Sequence, residues 1–600
     1  MSSFLQRLKE RKLFQWAVAY LAGAWLVLQA MEVTAEPFGW PLALQRGVTI
    51  LLVVGFFVAL ILAWYHGEKG RQRVSGPELL MIAALLAIAA ILLAILRPEA
   101  EAPTTPYAGL AAEGEKPAIA VLPFDNFSPD PDDAYFADGM HEAITTQLSR
   151  ISAIKVISRT SVMQYREAPP PARQIAQALR VDFLLEGSAR KDEEQVRLTV
   201  QLIDARVDEH VWADEYDRDL TAARLFEIQD DVARRVAASL AARLSPEESR
   251  RIEAQPTDNL AAYELYMLGR HHFHTRRTTG RDGLERAAEF FRRAIEADSG
   301  FALAYSGLAD LCAARRFYWG FEPDASPSAR RSEIEAADSV AVWAARKAVA
   351  LDGASAEAHT SLGIVLTYVE HDWEDAEREF RIAIHLNPNY VTAHNFYGDL
   401  LLFRRRWDEA IEAKSRALEL DPLFATHRAQ LAQGLWGAGR LSEAAAQAEA
   451  VTPHLPQSAV GTIPDEATRL ETPPSHYPEV HIYYEMGRSY DDALEALVET
   501  LARTGTSREL ATAYEERWQG LDWEGLWLAD LSVSVSLPCH WCQAIAYERL
   551  GRKREAVDAL RTAYEIREVG FLWPFVHPFF RTLEDEPRYR ELLHEMGLSP

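Results

Sequence analysis

Cysteine is nearly missing. Three stand among 600 residues, too few for a disulfide framework, so the chain must be held by packed apolar surface. Positive charge is also short: 63 Lys and Arg face 88 Asp and Glu, a formal net charge of −25. That denies the chain the basic field of a general nucleic-acid binder. With 48% hydrophobic and 25% charged residues, disorder and collagen are excluded as well. No GxxxxGK followed by Ser or Thr, no HExxH and no GxSxG occurs, so the common phosphate-loop, zinc-protease and serine-hydrolase signatures are missing. These absences lead us to expect no cofactor, no metal and no enzyme activity.

Long apolar runs are present at the N-terminal end. Residues 14–31, 48–65 and 79–96 carry no charge, and 18 residues of helix reach roughly 27 Å, close to a bilayer core. They predict three transmembrane helices in a membrane domain over residues 1–98. Arg7, Lys9, Arg11 and Lys12 precede the first run, and Lys69, Arg71 and Arg73 follow the second. Cationic flanks stay cytoplasmic, which predicts a multi-pass protein of the bacterial inner membrane with its N-terminus cytoplasmic and its C-terminal domains periplasmic. Residues 1–97 hold nine basic and five acidic side chains, net +4, which leaves −29 for the remainder. Residues 99–116, rich in Pro, Ala, Gly and Glu, read as a linker.

Strand and helix patterns then interleave over residues 117–247. PAIAVLPF and AIKVISRT read as strands around the helix DPDDAYFADGMHEAITTQLSRI; PARQIAQALR is a second helix. Three more strands, VDFLLEGSAR, QVRLTVQLIDA and EHVWADEYDR, precede a closing helix. This predicts one sheet covered by helices. IAVLPFDNFSPDPDDAYFADGM, VISRTSV, VDFLLEGSAR, LTVQLIDA and YDRDL resemble the TolB-like amino-terminal domain of bacterial membrane-anchored proteins that precedes tetratricopeptide repeats. The resemblance implies a small α/β domain in the periplasm and no catalytic residue. Relatives of this architecture carry DNA-binding or nucleotide-cyclase domains, and here only 13 residues precede the first apolar run.

A period of 34 organises residues 256–600. Pro388, Pro422 and Pro456 repeat at that spacing, as do Ala376, Ala410 and Ala444, and Ala383, Ala417 and Val451. Small residues where helices approach and proline after the second helix are the tetratricopeptide pattern, so an all-α solenoid of about seven units with a C-terminal cap is expected. Such repeats present one helix of each pair along a groove for a protein or peptide. Helical position makes Thr360, Ile364, Asn395, Asp399, Gln433 and Trp436 the candidate groove residues. The resulting reading is an interaction scaffold; the alternative is a transmembrane transducer that relays binding to a cytoplasmic partner.

Other clusters invite chemistry. Cys539 and Cys542 have the spacing of a redox pair or half a metal site, but no second CxxC accompanies them; a local disulfide and two packing thiols both remain open. Asp130, Asp132 and Asp133 suggest a cation site or a helix cap. His271, His272 and His274 suggest metal ligands, but no carboxylate stands at a fixed spacing nearby, which favours a helix end where histidine complements the dipole.

Overall fold

The computed structural model describes residues 24–25, 52, 116–167, 169–192, 194–319, 327–450, 484, 486, 488–503, 508–536, 539–566 and 578–598. Nearly all of these fall in the second of two compact units, Met1–Glu113 and Gly114–Pro600. The runs 14–31, 48–65 and 79–96 lie outside the described residues apart from positions 24, 25 and 52. Among the described residues no helix is long and apolar enough to cross a membrane. The helical stretch Leu260–Ala297 is interrupted at Gly280 and carries charges such as Arg270, Arg281, Asp282 and Glu285. The expected fold class is corrected accordingly: three transmembrane helices are not supported, and the multi-pass inner-membrane placement is withdrawn with them. The fold is mostly a helical solenoid of tetratricopeptide-like hairpins, with a small sheet region.

The sheet is mixed. Its strands are β1 (Ala118–Val121), β2 (Asp125–Asn126), β3 (Lys155–Val156), β4 (Phe183–Lys191), β5 (Gln195–Asp204) and β6 (Glu209–Asp219). They run in the order β3-β1-β4-β5-β6, with β2 also on β4. β1 is parallel to β3 and β4, while β5 is antiparallel to both β4 and β6. Side chains alternate across the pleat: Ile119 and Val121 join a core with Phe136, Met140, Ile144 and Leu148, whereas Ala118, Ala120 and Leu122 join another with Ile175 and Leu179. The helix Ala134–Ser149 follows a turn in which Asp130 accepts a bond from the Asp132 amide, so this part of the acidic cluster is a cap. The expected strand AIKVISRT is shorter than its pattern, because the Ser158 hydroxyl accepts from the Thr160 amide and starts the helix Arg159–Val162.

Repeating hairpins follow. The second helices of three successive pairs begin at Trp373, Trp407 and Leu441, each 34 residues after the last. Ala376, Ala410 and Ala444 are fully buried, as are Ala383 and Ala417, which is what close helix approach requires. Gly363 shows why size matters there: a Cβ added to it would lie 2.8 Å from the Phe380 ring. At the C-terminal end Trp373 Nε1 donates to the Met596 carbonyl at 3.0 Å and Arg405 Nη1 to Glu584 at 2.6 Å. The final turns therefore pack on the tips of the central hairpins.

The sheet domain packs on the opposite turns. Asn389 Nδ2 lies 3.0, 3.3 and 2.8 Å from the carbonyls of Ser149, Ile151 and Ile154, which it serves as donor. Asn387 Nδ2 donates to Ser149 Oγ at 2.7 Å, the Ser158 amide donates to the Leu420 carbonyl at 2.8 Å, and Ser161 Oγ donates to Asp421. Apolar packing is continuous too, since Ala262, Tyr263, Met267, Phe301 and Ala304 belong to the same core as Ile119 and Phe136. Contact is close at Gly139, where a Cβ would stand 2.4 Å from Met267 Sδ and 3.1 Å from its Cβ. Replacing Asn389 with alanine is expected to orphan buried carbonyls and cost about 2–3 kcal/mol, read as a lower urea midpoint. An unchanged midpoint would show that these bonds contribute nothing net.

Candidate functional site

A dense group of ionisable side chains lies where the sheet domain meets the repeats. Helix Ala134–Ser149 presents Asp138 and Glu142 one turn apart, since residues i and i+4 share a helix face. Helix Leu260–Ala297 presents Arg270, His271 and His274 opposite them. His271 Nδ1 donates to Asp138 Oδ2 at 2.9 Å, and Arg166 also pairs with Asp138. Glu142 accepts from Arg270 Nε at 2.9 Å and from His274 Nε2 at 3.0 Å. The stretch Leu260–Ala297 is interrupted at Gly280 (φ 58°, ψ −134°), so the histidines stand in the last turns of its first part, and their carboxylate partners come from 132 and 133 residues away. No sequence window spans that distance. Among the described residues, no group of three or more His, Cys, Asp or Glu is placed to hold a metal ion.

Burial and pairing set the charges. Burial raises the Asp138 carboxyl, but His271, Arg159 and Arg166 outweigh it and hold the group far below the usual carboxylate range. Glu142 is likewise raised by burial and then driven well down by Arg270 and His274. Burial and the neighbouring Arg159 depress His274 to about 3, so its ring is neutral near pH 7. His141, completely buried, is lowered to about 4 by burial and Arg159 and donates to the Val121 carbonyl at 2.9 Å. Asp138 and Glu142 with Arg159, Arg166 and Arg270 form a fixed ligature of opposite charges.

A cavity of about 90 Å³ adjoins it. Phe226, Tyr263, Tyr266 and Tyr390 supply rings; Glu142, Arg150, Arg270, Asp310 and Glu357 supply charge. Asp310 differs from the other carboxylates: burial pushes it up to about 6, with Ser361, Arg270 and Arg276 offsetting only part of that. This seam is the candidate site, and its parts come from both the sheet domain and the first hairpins.

The residues expected to line a groove are placed otherwise. Thr360, Ile364, Asp399 and Trp436 are buried, inside the solenoid rather than on a free face. Asn395 and Gln433 are half-buried. Lys414 explains part of this: its ammonium donates to the Asn395 carbonyl at 2.7 Å, to Asn395 Oδ1 at 2.9 Å and to Asp399. Cys539 and Cys542 are joined by a disulfide with Cα atoms 5.3 Å apart, at the start of helix His540–Arg549.

The family described as HilA/YgeH-like transcriptional regulator, second domain, matches residues 115–235, the extent of the sheet domain up to its closing helix. The TolB-like resemblance is not supported by this match. "Putative adenylate cyclase 3" of Rhizobium meliloti (strain 1021) is 34% identical over 257 residues, 42% of this chain. The chain spans 41% of the length of that relative. Because its name is that of an enzyme, the expectation that the present chain is not an enzyme is corrected. Among solved structures, PilF of Pseudomonas aeruginosa is 17% identical, covering 43% of this chain and 97% of its own at a TM-score of 0.28. A tetratricopeptide repeat protein from Parabacteroides merdae is 12% identical, covering 53% and 99% at 0.25.

Proposed function

We propose that this protein is a scaffold that binds another protein or a peptide on its helical repeats. The observation that carries this reading is the run of hairpins at a constant 34-residue spacing, each pair held by buried alanines. The sheet domain and the C-terminal turns pack on opposite hairpin ends, leaving helix faces as the surface for a partner. On the inner helices Val391–Phe403 and Ala425–Gly437, Asn395 and Gln433 are the proposed contact positions. The test is photocrosslinking in cells from residues placed at Asn395 and Gln433, with the fully buried Ile119 as control. A saturable crosslinked partner absent from the Ile119 variant is expected. Equal labelling at all three positions would overturn the reading.

The likeness to a protein named as an adenylate cyclase favours a second reading, nucleotide cyclisation. Purified full chain incubated with ATP and a divalent cation would then release cyclic AMP and pyrophosphate in equal amounts. Turnover above a heat-inactivated control would give this reading precedence.

A further inference from the structure

Among the side chains that line the junction cavity, carboxylates outnumber guanidinium groups by one. Three carboxylates, Glu142, Asp310 and Glu357, line it against two guanidinium groups, Arg150 and Arg270. Burial raises the hydroxyls of Tyr263, Tyr266 and Tyr390, so the rings stay neutral. Glu142 is taken by Arg270, and Glu357 lies 3.4 Å from Arg150. Asp310 has no cation within ion-pair distance among the described residues; its hydrogen bond comes from Ser361 Oγ at 2.6 Å. An ionised carboxylate buried without a counter-charge opposes folding, and groups that weaken the fold are retained where they bind something.

We propose that this cavity binds a small organic ammonium ion, held by the Asp310 carboxylate among the rings of Phe226, Tyr263, Tyr266 and Tyr390. One positive charge would pair with Asp310, whose neighbouring guanidinium groups, Arg270 and Arg276, form no ion pair with it among the described residues, and aromatic rings attract a desolvated cation through their negative faces. A metal ion fits less well, since rings offer no lone pairs and no three ligating side chains converge among the described residues. Size agrees: about 90 Å³ is room for about six waters, similar to a methylated ammonium headgroup. Binding is coupled to protonation. Asp310 is faced by Arg270 and Arg276 from helix Leu260–Ala297, by Glu357 and Ser361 from helix Ala356–Val365 and by Tyr390, and below pH 6 the incoming cation displaces the Asp310 proton to solvent.

The probe is tetramethylammonium chloride, titrated into the full chain by calorimetry. Potassium chloride at equal ionic strength and tert-butyl alcohol, a neutral molecule of the same shape, serve as controls. Saturable binding of tetramethylammonium alone is expected at pH 7.5, weakening about tenfold for each pH unit below 6. Asp310→Asn, checked for native circular dichroism, is expected to lose it. Tyr266→Leu, which keeps the carboxylate, is expected to bind about tenfold more weakly, and this variant together with the pH series decides the matter if Asp310→Asn does not fold. No saturable binding by the natural chain, undiminished binding by Asp310→Asn, or equal binding of tert-butyl alcohol would each overturn the proposal.

Discussion

Glu142→Ala is expected to destabilise the chain by about 3 kcal/mol, because it strips the partner from a largely buried guanidinium. Removing one member of a buried pair costs more than the pair contributes, since the remaining charge stays out of water. Arg270 and Glu142 keep 17% and 20% side-chain exposure, which places the loss at the low end of that range. The sign with pH follows from the carboxylates. Asp138 and Glu142 titrate lower in the folded chain than their ordinary values near 4, so their stabilisation is complete above about pH 4.3 and is lost as pH falls through the folded values. Urea midpoints measured from pH 7 down to pH 3 are expected to begin falling below about pH 6.5, where His141 and His274 take up protons only on unfolding, and to fall more steeply below about pH 4 as the carboxylates protonate. Glu142→Ala should fall less steeply; an identical slope would show that Glu142 does not couple to folding.

Lys414→Ala is expected to cost about 3–5 kcal/mol. The side chain is fully buried, and burial lowers its ammonium while Asp399 opposes the shift. Without it, Asp399, itself buried, would be left with the Tyr368 hydroxyl at 2.9 Å as its described partner. Replacing both charges, with Lys414→Met and Asp399→Leu together, should recover most of the loss, because apolar groups of similar volume substitute for a buried pair at little cost. A double variant no better than Lys414→Ala would show that packing around Gly398, whose added Cβ would stand 2.8 Å from the lysine stem, outweighs the charge.

Lys414 also marks where sequence reading stops. It stands 34 residues after Phe380, a buried ring in the preceding repeat, so a repeat alignment exposes a cation at a core position. Period and alanine pattern were sufficient for the hairpins because both are local. Asp399 and Trp436 looked available on helical position alone; the structure buries both, since neighbouring helices cover their faces. The sheet was legible from alternation, as in Val196, Leu198, Val200 and Leu202, all buried at every second place. The junction was not. Asp138 and His271, or Asn389 and Ile154, meet across separations of 133 and 235 residues, and no local pattern signals such a meeting. The apolar runs near the N-terminus gave the clearest local pattern, and they lie outside the described residues apart from positions 24, 25 and 52; among the described residues no helix is long and apolar enough to cross a membrane.

That sheet domain and repeats form one unit is tested most directly by hydrogen–deuterium exchange on the full chain with and without Glu142→Ala. The account predicts that amides of helices Ala134–Ser149 and Leu260–Ala297 share one opening free energy and lose protection together in the variant. Loss confined to one helix, with the other unchanged, would contradict it and divide the chain into two independently stable domains.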